Sequence, residues 1–241
     1  MSAPSIRAIS KRFRGLQAVD DLSFDVPERA IVALIGPNGA GKTTTFNLIA
    51  GVTPPDAGEI RFGALRLNDL PPHRVCAAGI ARTFQIVRPF GELTLEDNVL
   101  VGCLHATPKV DQAREAARHI LERLGLWSRR GQRAASLTLP DRKRLEVARA
   151  LGTRPKLLLL DEVMAGLRPT ETDQMVAFFR EINRDLGVTI LLIEHVMRAV
   201  MALAQRVVVL NYGKKIAEGT PEAVVRDPAV LDCYLGEETF S

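Results

Sequence analysis

The amino-acid sequence predicts an α/β fold with a parallel sheet. Three runs, at residues 30–35, 156–160 and 188–193, are apolar almost throughout, as expected of strands that are buried on both faces. Segments with the apolar spacing of helices lie between these runs, and the first run ends in a glycine-rich turn. Strands and helices that alternate in this way are typical of parallel α/β architecture.

The N-terminal segment has a different pattern. Residues 5–27 alternate between apolar and polar positions, which predicts antiparallel strands with one exposed face. The apolar positions of this alternation include Val19, Leu22, Phe24 and Val26. We therefore expect an N-terminal antiparallel β subdomain before the first buried strand.

Helix and turn signals follow the first buried strand. A helix is predicted over residues 43–50, because its apolar spacing stops at Gly51, a residue type that commonly ends helices. Prolines and a glycine at 54–58 predict a turn before a short strand at 59–62. Two further prolines then introduce a helix that runs to Ala77.

The middle of the chain is predicted to be helical. From about residue 90 to 132 the spacing is that of amphipathic helices, and one apolar stripe ends before Gly125. We therefore place a helical subdomain at about residues 90–152. The stripe consists of Ala113, Ala116, Ala117, Ile120, Leu121 and Leu124.

The C-terminal part returns to alternating elements. A strand at 207–210 is followed by a turn and by helices that begin near residues 220 and 227, each marked by a cap residue and a proline. These signals predict a hairpin and helices over about 212–241. The sequence has neither a repeat nor a low-complexity segment, and residues 1–241 are interpreted as a single domain.

Composition limits the possible function classes. The 241 residues are 46% apolar and 25% charged, which is typical of a globular protein with a sizeable core. No apolar run approaches the roughly 20 residues that cross a bilayer, and a secretory signal is not apparent, so we expect a cytoplasmic chain. The net charge of +4 comes from interleaved acids and bases, and without a basic and aromatic platform it gives no support for nucleic-acid binding. Cys76, Cys103 and Cys233 lack the spacing of metal ligands and are expected to be reduced thiols.

A phosphate-binding motif follows the first buried strand. Residues 36–43 match G-x-x-x-x-G-K-[ST] between a strand and a helix, the context that this motif requires; the alternative is a glycine-rich turn without a ligand. In this motif backbone N–H groups surround phosphates, Lys42 neutralises the β- and γ-phosphates, and the Thr43 hydroxyl binds Mg²⁺. The residues assigned to nucleotide binding here are Gly36, Pro37, Asn38, Gly39, Ala40, Gly41, Lys42, Thr43 and Thr44.

Two acids end the second buried strand. Four leucines at 157–160 lead into Asp161 and Glu162, where a nucleotide hydrolase needs one acid for Mg²⁺ and one for water. We expect Asp161 to hold Mg²⁺ through water and Glu162 to act as the general base. Acids also solvate strand ends and cap helices. Together with the phosphate motif, however, this pair predicts a P-loop NTPase.

The order of these motifs resembles that of the ABC family of ATPases. Gln85 lies between the phosphate motif and the helical segment, in the position of the family's Q-loop. His195 follows the third buried strand, as the family's switch histidine does, although a histidine there can also be a capping or solvated residue. Phe13 resembles the aromatic residue that stacks on adenine, although it can equally fill a core. The resemblance implies an ABC-type nucleotide-binding domain with ATP and Mg²⁺, catalytic roles for Glu162, His195 and Gln85, and a metal-binding role for Gln85.

Within that family the chain most resembles the ATPase subunits of branched-chain or hydrophobic amino acid importers. This resemblance implies an ATP-hydrolysing subunit at the cytoplasmic face of the membrane, attached to transmembrane permease subunits and paired with a second ATPase subunit. An extracytoplasmic substrate-binding protein would be an indirect partner. The stretches that carry the resemblance are 82–85, 93–101, 165–171 and 234–237.

Three alternatives remain open at the level of sequence. A lipopolysaccharide-export ATPase has the same cassette and is the nearest competitor. A soluble ABC ATPase that acts on nucleic acid or ribosomes usually has tandem domains or long insertions, which this sequence lacks. A non-hydrolysing regulatory module is disfavoured by the presence of Glu162 and His195.

The signature motif departs from the family's pattern. The family has Leu-Ser-Gly-Gly-Gln, which binds the γ-phosphate of ATP held by the opposite subunit. Thr138 can replace the serine hydroxyl, but Pro140 has no N–H to donate, and the lost hydrogen bond to phosphate is worth about 1.5–3 kcal/mol. We therefore hypothesise a non-identical partner with an intact signature; alternatively, Thr138 and neighbouring amides suffice and both sites work. The residues at the five signature positions are Leu137, Thr138, Leu139, Pro140 and Asp141.

Two smaller departures accompany this one. Arg168 occupies a position that is usually Asp or Asn in the family's D-loop, which is expected to alter communication between the two ATP sites. The segment 106–112 is short for the subfamily, which is expected to affect docking onto the permease.

Overall fold

The computed structural model describes residues 3–238, with side chains as far as Tyr234. Residues 1, 2 and 239–241 of the expected domain, and the side chains of 235–237 in the last similar stretch, lie outside the described part. The first half of the chain contains β1 (Pro4–Phe13), β2 (Leu16–Asp25), β3 (Ile31–Ile35), α1 (Lys42–Ile49), β4 (Ala57–Phe62), β5 (Leu65–Arg66), α2 (Pro72–Ala77), β6 (Ile80–Arg82), α3 (Leu95–Ala106) and α4 (Val110–Arg123). The second half contains α5 (Leu139–Gly152), β7 (Leu157–Asp161), α6 (Pro169–Leu186), β8 (Thr189–Ile193), α7 (Met197–Leu203), β9 (Arg206–Asn211), β10 (Lys214–Gly219), α8 (Pro221–Val224) and α9 (Pro228–Glu238).

A six-stranded sheet lies at the centre of the structure. Its strand order is β10-β9-β3-β8-β7-β6, in which β10 pairs antiparallel with β9 and the other neighbours are parallel. Every residue of β3, β7 and β8 is buried. The three apolar runs are therefore strands that are covered on both faces, and the predicted α/β fold is confirmed.

Alternate residues of these strands belong to two separate cores. On β3, Ile31, Ala33 and Ile35 pack into a core that includes residues of α4, α5 and α6. Val32 and Leu34 pack into a second core with α1 and the N-terminal strands. Because successive side chains of a strand point to opposite faces, each apolar run supplies both cores. Packing on both faces fixes the position of the sheet's carboxyl edge.

The N-terminal strands form a separate four-stranded antiparallel sheet with the order β2-β1-β4-β5. β1 pairs antiparallel with both β2 and β4. The predicted inward positions Val19, Leu22, Phe24 and Val26 are all buried. The predicted antiparallel β subdomain is therefore confirmed.

Helices α3, α4 and α5 pack against one another beside the central sheet. The predicted apolar stripe of α4 faces this packing, since Ala113, Ala117 and Leu121 are completely buried. The segment is therefore helical as predicted, whereas the limits 90–152 of a subdomain stay a prediction. Within residues 3–238 no helix has the length and apolar character needed to span a bilayer.

The sequence patterns do not indicate β6, the strand at the edge of the central sheet. β6 has only three residues and includes Arg82, so it is too short and too polar to produce a recognisable strand pattern. It pairs in parallel with β7. This pairing brings the segment after β6, which contains Gln85, to the carboxyl edge of the sheet.

Candidate functional site

Most of the predicted site residues lie at the carboxyl edge of the central sheet. The phosphate motif follows β3, Asp161 and Glu162 lie at the end of β7, His195 follows β8, and Gln85 follows β6. These four strands are parallel neighbours in the order β3-β8-β7-β6. The carboxyl ends of adjacent parallel strands are the usual ligand-binding position in α/β proteins.

The phosphate motif forms the tight turn that its glycines predict. Gly36 has φ +144°, and a Cβ at this position would lie 2.1 Å from the backbone oxygen of Leu210. Gly41 has φ +101°, and a Cβ there would lie 2.3 Å from the backbone oxygen of Ala18. Only glycine fits both positions, because the obstructing atoms are backbone. The first turn of α1 contains no acidic residue, so the positive end of this helix faces the turn without a neutralising side chain.

The ammonium group of Lys42 lies inside the phosphate turn. Its Nζ donates hydrogen bonds to the backbone oxygens of Gly36 at 2.6 Å and Pro37 at 2.7 Å. The side chain is therefore placed where it can neutralise phosphate oxygens bound by the turn. Among the remaining motif residues Ala40 is buried, Thr44 is half-buried, and the exposed ones are Asn38, Gly39 and Thr43.

The three residues predicted to bind Mg²⁺ line one cavity of about 490 Å³. They are Thr43, Gln85 and Asp161. Asp161 is 1% exposed, and its Oδ1 has no hydrogen-bond partner among the described residues. A buried carboxylate oxygen without a partner, close to a hydroxyl and an amide, provides the oxygen ligands that Mg²⁺ prefers. These three residues therefore fit the ion, although Arg82, Arg88 and Arg149 also line the cavity.

Arg82 is a site residue that the sequence analysis did not assign. Its Nη2 lies 2.8 Å from Asp161 Oδ2, and its Nη1 donates to Asn47 Oδ1 at 2.5 Å. The guanidinium also lies 5.7 Å and 5.2 Å from the ring centroids of Phe46 and Phe84. Burial raises the pKa of Asp161, and the hydrogen bond from Arg82 opposes this rise. The only sequence signal for the pairing of Arg82 with Asp161 is the presence of a basic residue within a short buried segment.

The three predicted catalytic residues form a cluster. Gln85 Nε2 donates to Glu162 Oε2 at 2.7 Å, and His195 Nδ1 lies 3.8 Å from Glu162 Oε1. Glu162 has φ +49°, a left-handed conformation that is uncommon for residues other than glycine. This backbone conformation accompanies the turn that points the carboxylate toward Gln85 and His195. The structure therefore brings together residues that are far apart in the sequence.

Phe13 lies at the end of β1 with 45% of its surface exposed. It pairs with Leu16 of β2, and Ala18 further along β2 contacts the phosphate turn at Gly41. Lys11 Nζ lies 5.6 Å from the centroid of the Phe13 ring. The ring is thus available for stacking and is not core filler, while its contact with adenine stays a prediction.

The segment at the signature positions forms the start of α5 and carries a closed polar cluster. The Thr138 hydroxyl donates to Asp141 Oδ2 at 3.0 Å, and Arg129 Nη1 donates to the same oxygen at 2.7 Å. The Arg129 guanidinium holds the pKa of Asp141 below its usual value, against the opposing effect of burial. The single hydroxyl proton of Thr138 is therefore directed at a carboxylate, and Pro140 in the first turn has no N–H. Arg129 was not assigned from the sequence.

Two other signature residues differ in exposure. Leu137 is 4% exposed and packs in the core, whereas Leu139 is 50% exposed. Arg168, in the D-loop position, bonds to Glu171 on the first turn of α6 through Nη2 at 2.7 Å. The arginine therefore helps to cap α6.

The phosphate turn, the acid with a free oxygen and the Glu162 cluster together define a P-loop nucleotide-binding ATPase. Comparison with known proteins narrows this class. Residues 19–165 match a family model described as "ABC transporter". Residues 214–239 match a second model, described as "Branched-chain amino acid ATP-binding cassette transporter". The chain belongs to the family of ABC transporter ATP-binding proteins.

Several relatives align over nearly their whole length. The chain is 40% identical to the high-affinity branched-chain amino acid transport ATP-binding protein BraF of Pseudomonas aeruginosa, over 98% of this chain and 100% of BraF. It has the same identity and coverage with LivG of Escherichia coli K12, which carries the same description. The lipopolysaccharide export system ATP-binding protein LptB of Escherichia coli K12 is 34% identical over 99% of both chains.

Solved structures of ABC transporter cassettes share the fold. A nucleotide-free ATP-binding cassette has a TM-score of 0.88 and 30% identity, over 97% of this chain and 99% of that one. A cassette in its ADP conformation has the same TM-score and identity, over 98% and 99%. The expected fold class of an ABC-type nucleotide-binding domain is therefore confirmed.

Proposed function

We propose that this chain binds and hydrolyses ATP to drive an importer of branched-chain or hydrophobic amino acids. The observation that carries the proposal is the Gln85–Glu162–His195 cluster, next to a phosphate turn and to the free oxygen of Asp161. A module that only binds nucleotide would not need a carboxylate that accepts a hydrogen bond from Gln85 and lies 3.8 Å from His195 Nδ1, beyond the phosphate turn. The geometry therefore favours hydrolysis over passive nucleotide binding.

Each part of the site has a distinct role in hydrolysis. Phe13 stacks on adenine, while the backbone N–H groups of the turn and Lys42 bind the phosphates and neutralise their charge. Thr43, Gln85 and Asp161 would hold Mg²⁺, which would supply neutralisation of phosphate charge.

The cluster around Glu162 acts on the attacking water. Glu162 accepts the proton of this water as general base, and Gln85 orients the carboxylate through the 2.7 Å hydrogen bond. His195, 59% exposed at its side chain, contacts the γ-phosphate from the open side.

Transport requires attachment to permease subunits at the cytoplasmic face of the membrane. A groove of about 370 Å³ lies beside the catalytic edge, between α2, β6 and α3. Its apolar lining residues Val52, Phe84 and Val101 are about half exposed. Phe84 is the neighbour of Gln85, so a permease segment in this groove would be linked directly to the nucleotide site. We assign the groove to the permease.

The relatives support the choice of substrate. The two relatives at 40% identity are named for branched-chain amino acid transport, whereas the lipopolysaccharide-export protein is 34% identical. The match of residues 214–239 to the branched-chain cassette model supports the same choice. A substrate-binding protein outside the membrane and the permease would select the amino acid.

The second ATPase subunit is an unlike chain in this proposal. Each site of an ABC dimer combines one chain's phosphate turn with the other chain's signature. In this chain Thr138 is engaged by Asp141 and Pro140 has no N–H, so two of the expected donors to phosphate are missing. An intact signature from a different partner would complete the site of this chain, while the partner's own site would be impaired.

Two experiments test the proposal. Co-purification from membranes followed by reconstitution should give ATP-dependent uptake of labelled branched-chain amino acids; uptake of lipid instead, or the lack of any membrane partner, would contradict it.

The second experiment tests the asymmetry between the two ATP sites of the dimer. Glu162→Gln should abolish most ATPase activity, whereas the corresponding change in the partner should have a small effect. Equal losses from the two changes would refute the asymmetry.

A further inference from the structure

The turn that carries Glu162 is held by two buried ionisable residues that have no role in the site described above. Lys143 lies on α5 and is 4% exposed, and Glu194 precedes His195 and is 1% exposed. Both side chains bond to backbone atoms of residues 162–165. Buried charges of this kind are rare unless they are paired or functional.

Lys143 bonds to both ends of the turn. Its Nζ donates to the backbone oxygen of Glu162 at 2.9 Å and also to the backbone oxygen of Ala165. The Glu162 oxygen additionally accepts the N–H of Ala165 at 3.3 Å, which closes the turn. Because Glu162 is in the left-handed region, with φ +49°, the turn needs such support to keep its conformation.

Glu194 holds the opposite side of the turn. Its Oε1 accepts the N–H of Met164 at 2.8 Å, and Met164 itself is 1% exposed. The turn is therefore fixed by a cation on its carbonyl groups and by a carboxyl group on one of its N–H groups. These bonds place the backbone of Glu162, and with it the catalytic carboxylate, relative to Gln85 and His195.

Lys143 also links this turn to the signature segment of the same chain. Lys143 and Leu139 are four residues apart on α5, so they lie on the same face of the helix. A Cβ on Gly166, at the end of the turn, would lie 3.6 Å from Leu139 Cδ2. The start of α5 thus contacts the Glu162 turn at two points. In an ABC dimer the signature faces the partner's nucleotide, whereas Glu162 faces the chain's own nucleotide.

We propose that Lys143 is a positioning residue that couples the signature segment to Glu162, so that a displacement of the start of α5 changes the position of the general base. This inference rests on the proposed ATPase function and names a regulatory contact within it. The two ATP sites of the dimer communicate through this lysine inside one chain, in addition to any contact across the dimer interface.

The test uses Lys143→Met, which keeps the length and apolar stem of lysine but removes its hydrogen-bond donors. In the assembled transporter, kcat for ATP should fall about tenfold to a hundredfold, as expected for lost charge-assisted hydrogen bonds that position a general base. The affinity of the purified chain for a fluorescent ATP analogue should stay within about twofold of wild type, because Lys143 does not contact the phosphate turn. Lys143→Arg should restore most of the rate, since its guanidinium can donate to both backbone oxygens.

Hydrogen exchange on the full chain provides a readout that does not depend on activity. In Lys143→Met the N–H groups of Met164 and Ala165 should exchange about tenfold faster than in wild type, while those of β3 and α1 are unchanged. Lys215→Met, at a surface lysine that pairs with Glu218 at 2.6 Å, is the matched control and should alter neither rate nor exchange. If Lys143→Met does not fold, Lys143→Gln replaces it with the same expectations.

The outcomes separate this inference from the proposed function. A wild-type chain that neither binds nor hydrolyses ATP would refute the proposed function. A wild-type chain with normal turnover, together with a Lys143→Met variant that has normal kcat and normal exchange at residues 163–166, would refute the positioning role. Loss of ATP affinity in parallel with kcat would also refute it, because a general structural defect would then explain the effect.

Discussion

The burial of Glu194 makes the stability of this protein depend on pH in a way that a single substitution should remove. Glu194 is 1% exposed, and burial raises its pKa to about 7 from a usual value of 4.5. Lys143 on α5 and the N–H of Met164 oppose this rise, whereas the charge of Glu162 adds to it. The backbone hydrogen bond from His195, the next residue in the chain, also opposes the rise of the Glu194 pKa.

The sign and size of the effect follow from these values. Between pH 4.5 and about 7 the unfolded chain releases the Glu194 proton while the folded protein keeps it, so the free energy of unfolding falls as pH rises. The full stabilisation is present below pH 4.5 and is lost above about pH 7. A pKa change of this size corresponds to about 3 kcal/mol. Glu194→Gln is neutral at every pH and lacks this dependence.

The assay is urea unfolding, followed by the fluorescence of the single tryptophan, Trp127, at pH 5 and pH 8. From pH 5 to pH 8 the free energy of unfolding of the wild type should fall by about 2–3 kcal/mol more than that of Glu194→Gln. Glu222→Gln, at an exposed glutamate, is the control and should follow the wild type. Parallel stability changes in wild type and Glu194→Gln would refute the reasoning.

Three further predictions concern the nucleotide site and the signature. Arg82→Met should lower the free energy of unfolding by about 3–5 kcal/mol in urea titrations, because it leaves the buried Asp161 carboxylate without its cation; a loss below about 1 kcal/mol would contradict this. Gly36→Ala should abolish binding of an ATP analogue or prevent folding, since its Cβ would lie 2.1 Å from the Leu210 oxygen, and normal binding would contradict this close approach. Pro140→Gly should raise about tenfold the ATPase rate that remains when this chain's own general base is disabled, and an unchanged rate would mean that the missing N–H is not limiting.

Much of the fold can be predicted from the sequence, because its central strands are buried on both faces. The segments that form β3, β7 and β8 are apolar almost throughout, as is typical of strands covered on both faces, and all of their residues are buried. β6 could not be predicted in the same way. Its three residues gain their strand conformation from pairing with β7, which is a tertiary contact and leaves no local pattern.

The residues of the candidate site also differ in whether local sequence or tertiary packing determines their positions. The positions of Lys42 and Glu162 could be predicted because they depend on local chain geometry: Lys42 begins the helix that follows a turn, and Glu162 follows the end of a strand. The contact of Arg82 with Asp161 joins residues that are 79 positions apart, and that of Lys143 with Glu162 joins a helix to a turn. No pattern in the sequence indicates either of these two contacts. Only the packing of α5 and β6 around β7 brings these groups together.

The hydrogen bond from Thr138 to Asp141 shows that the residue type at a motif position does not by itself determine what the side chain binds. A threonine at a serine position preserves the hydroxyl, and the sequence therefore suggests a conserved donor. In the structure Asp141, three residues later, accepts the hydroxyl proton at 3.0 Å while Arg129 neutralises the carboxylate. Asp141 thus determines the direction in which the Thr138 hydroxyl donates, which could not be inferred from either residue alone.

The most direct test of the central claim is Mg²⁺-dependent ATP hydrolysis by the assembled transporter that contains wild-type chain or Glu162→Gln. The variant should bind an ATP analogue like wild type, but its hydrolysis should fall about a hundredfold or more, since the general base is lost while the phosphate turn is intact. Glu222→Gln should leave the rate unchanged. Hydrolysis at the wild-type rate in Glu162→Gln would contradict the role of this cluster and with it the proposed function.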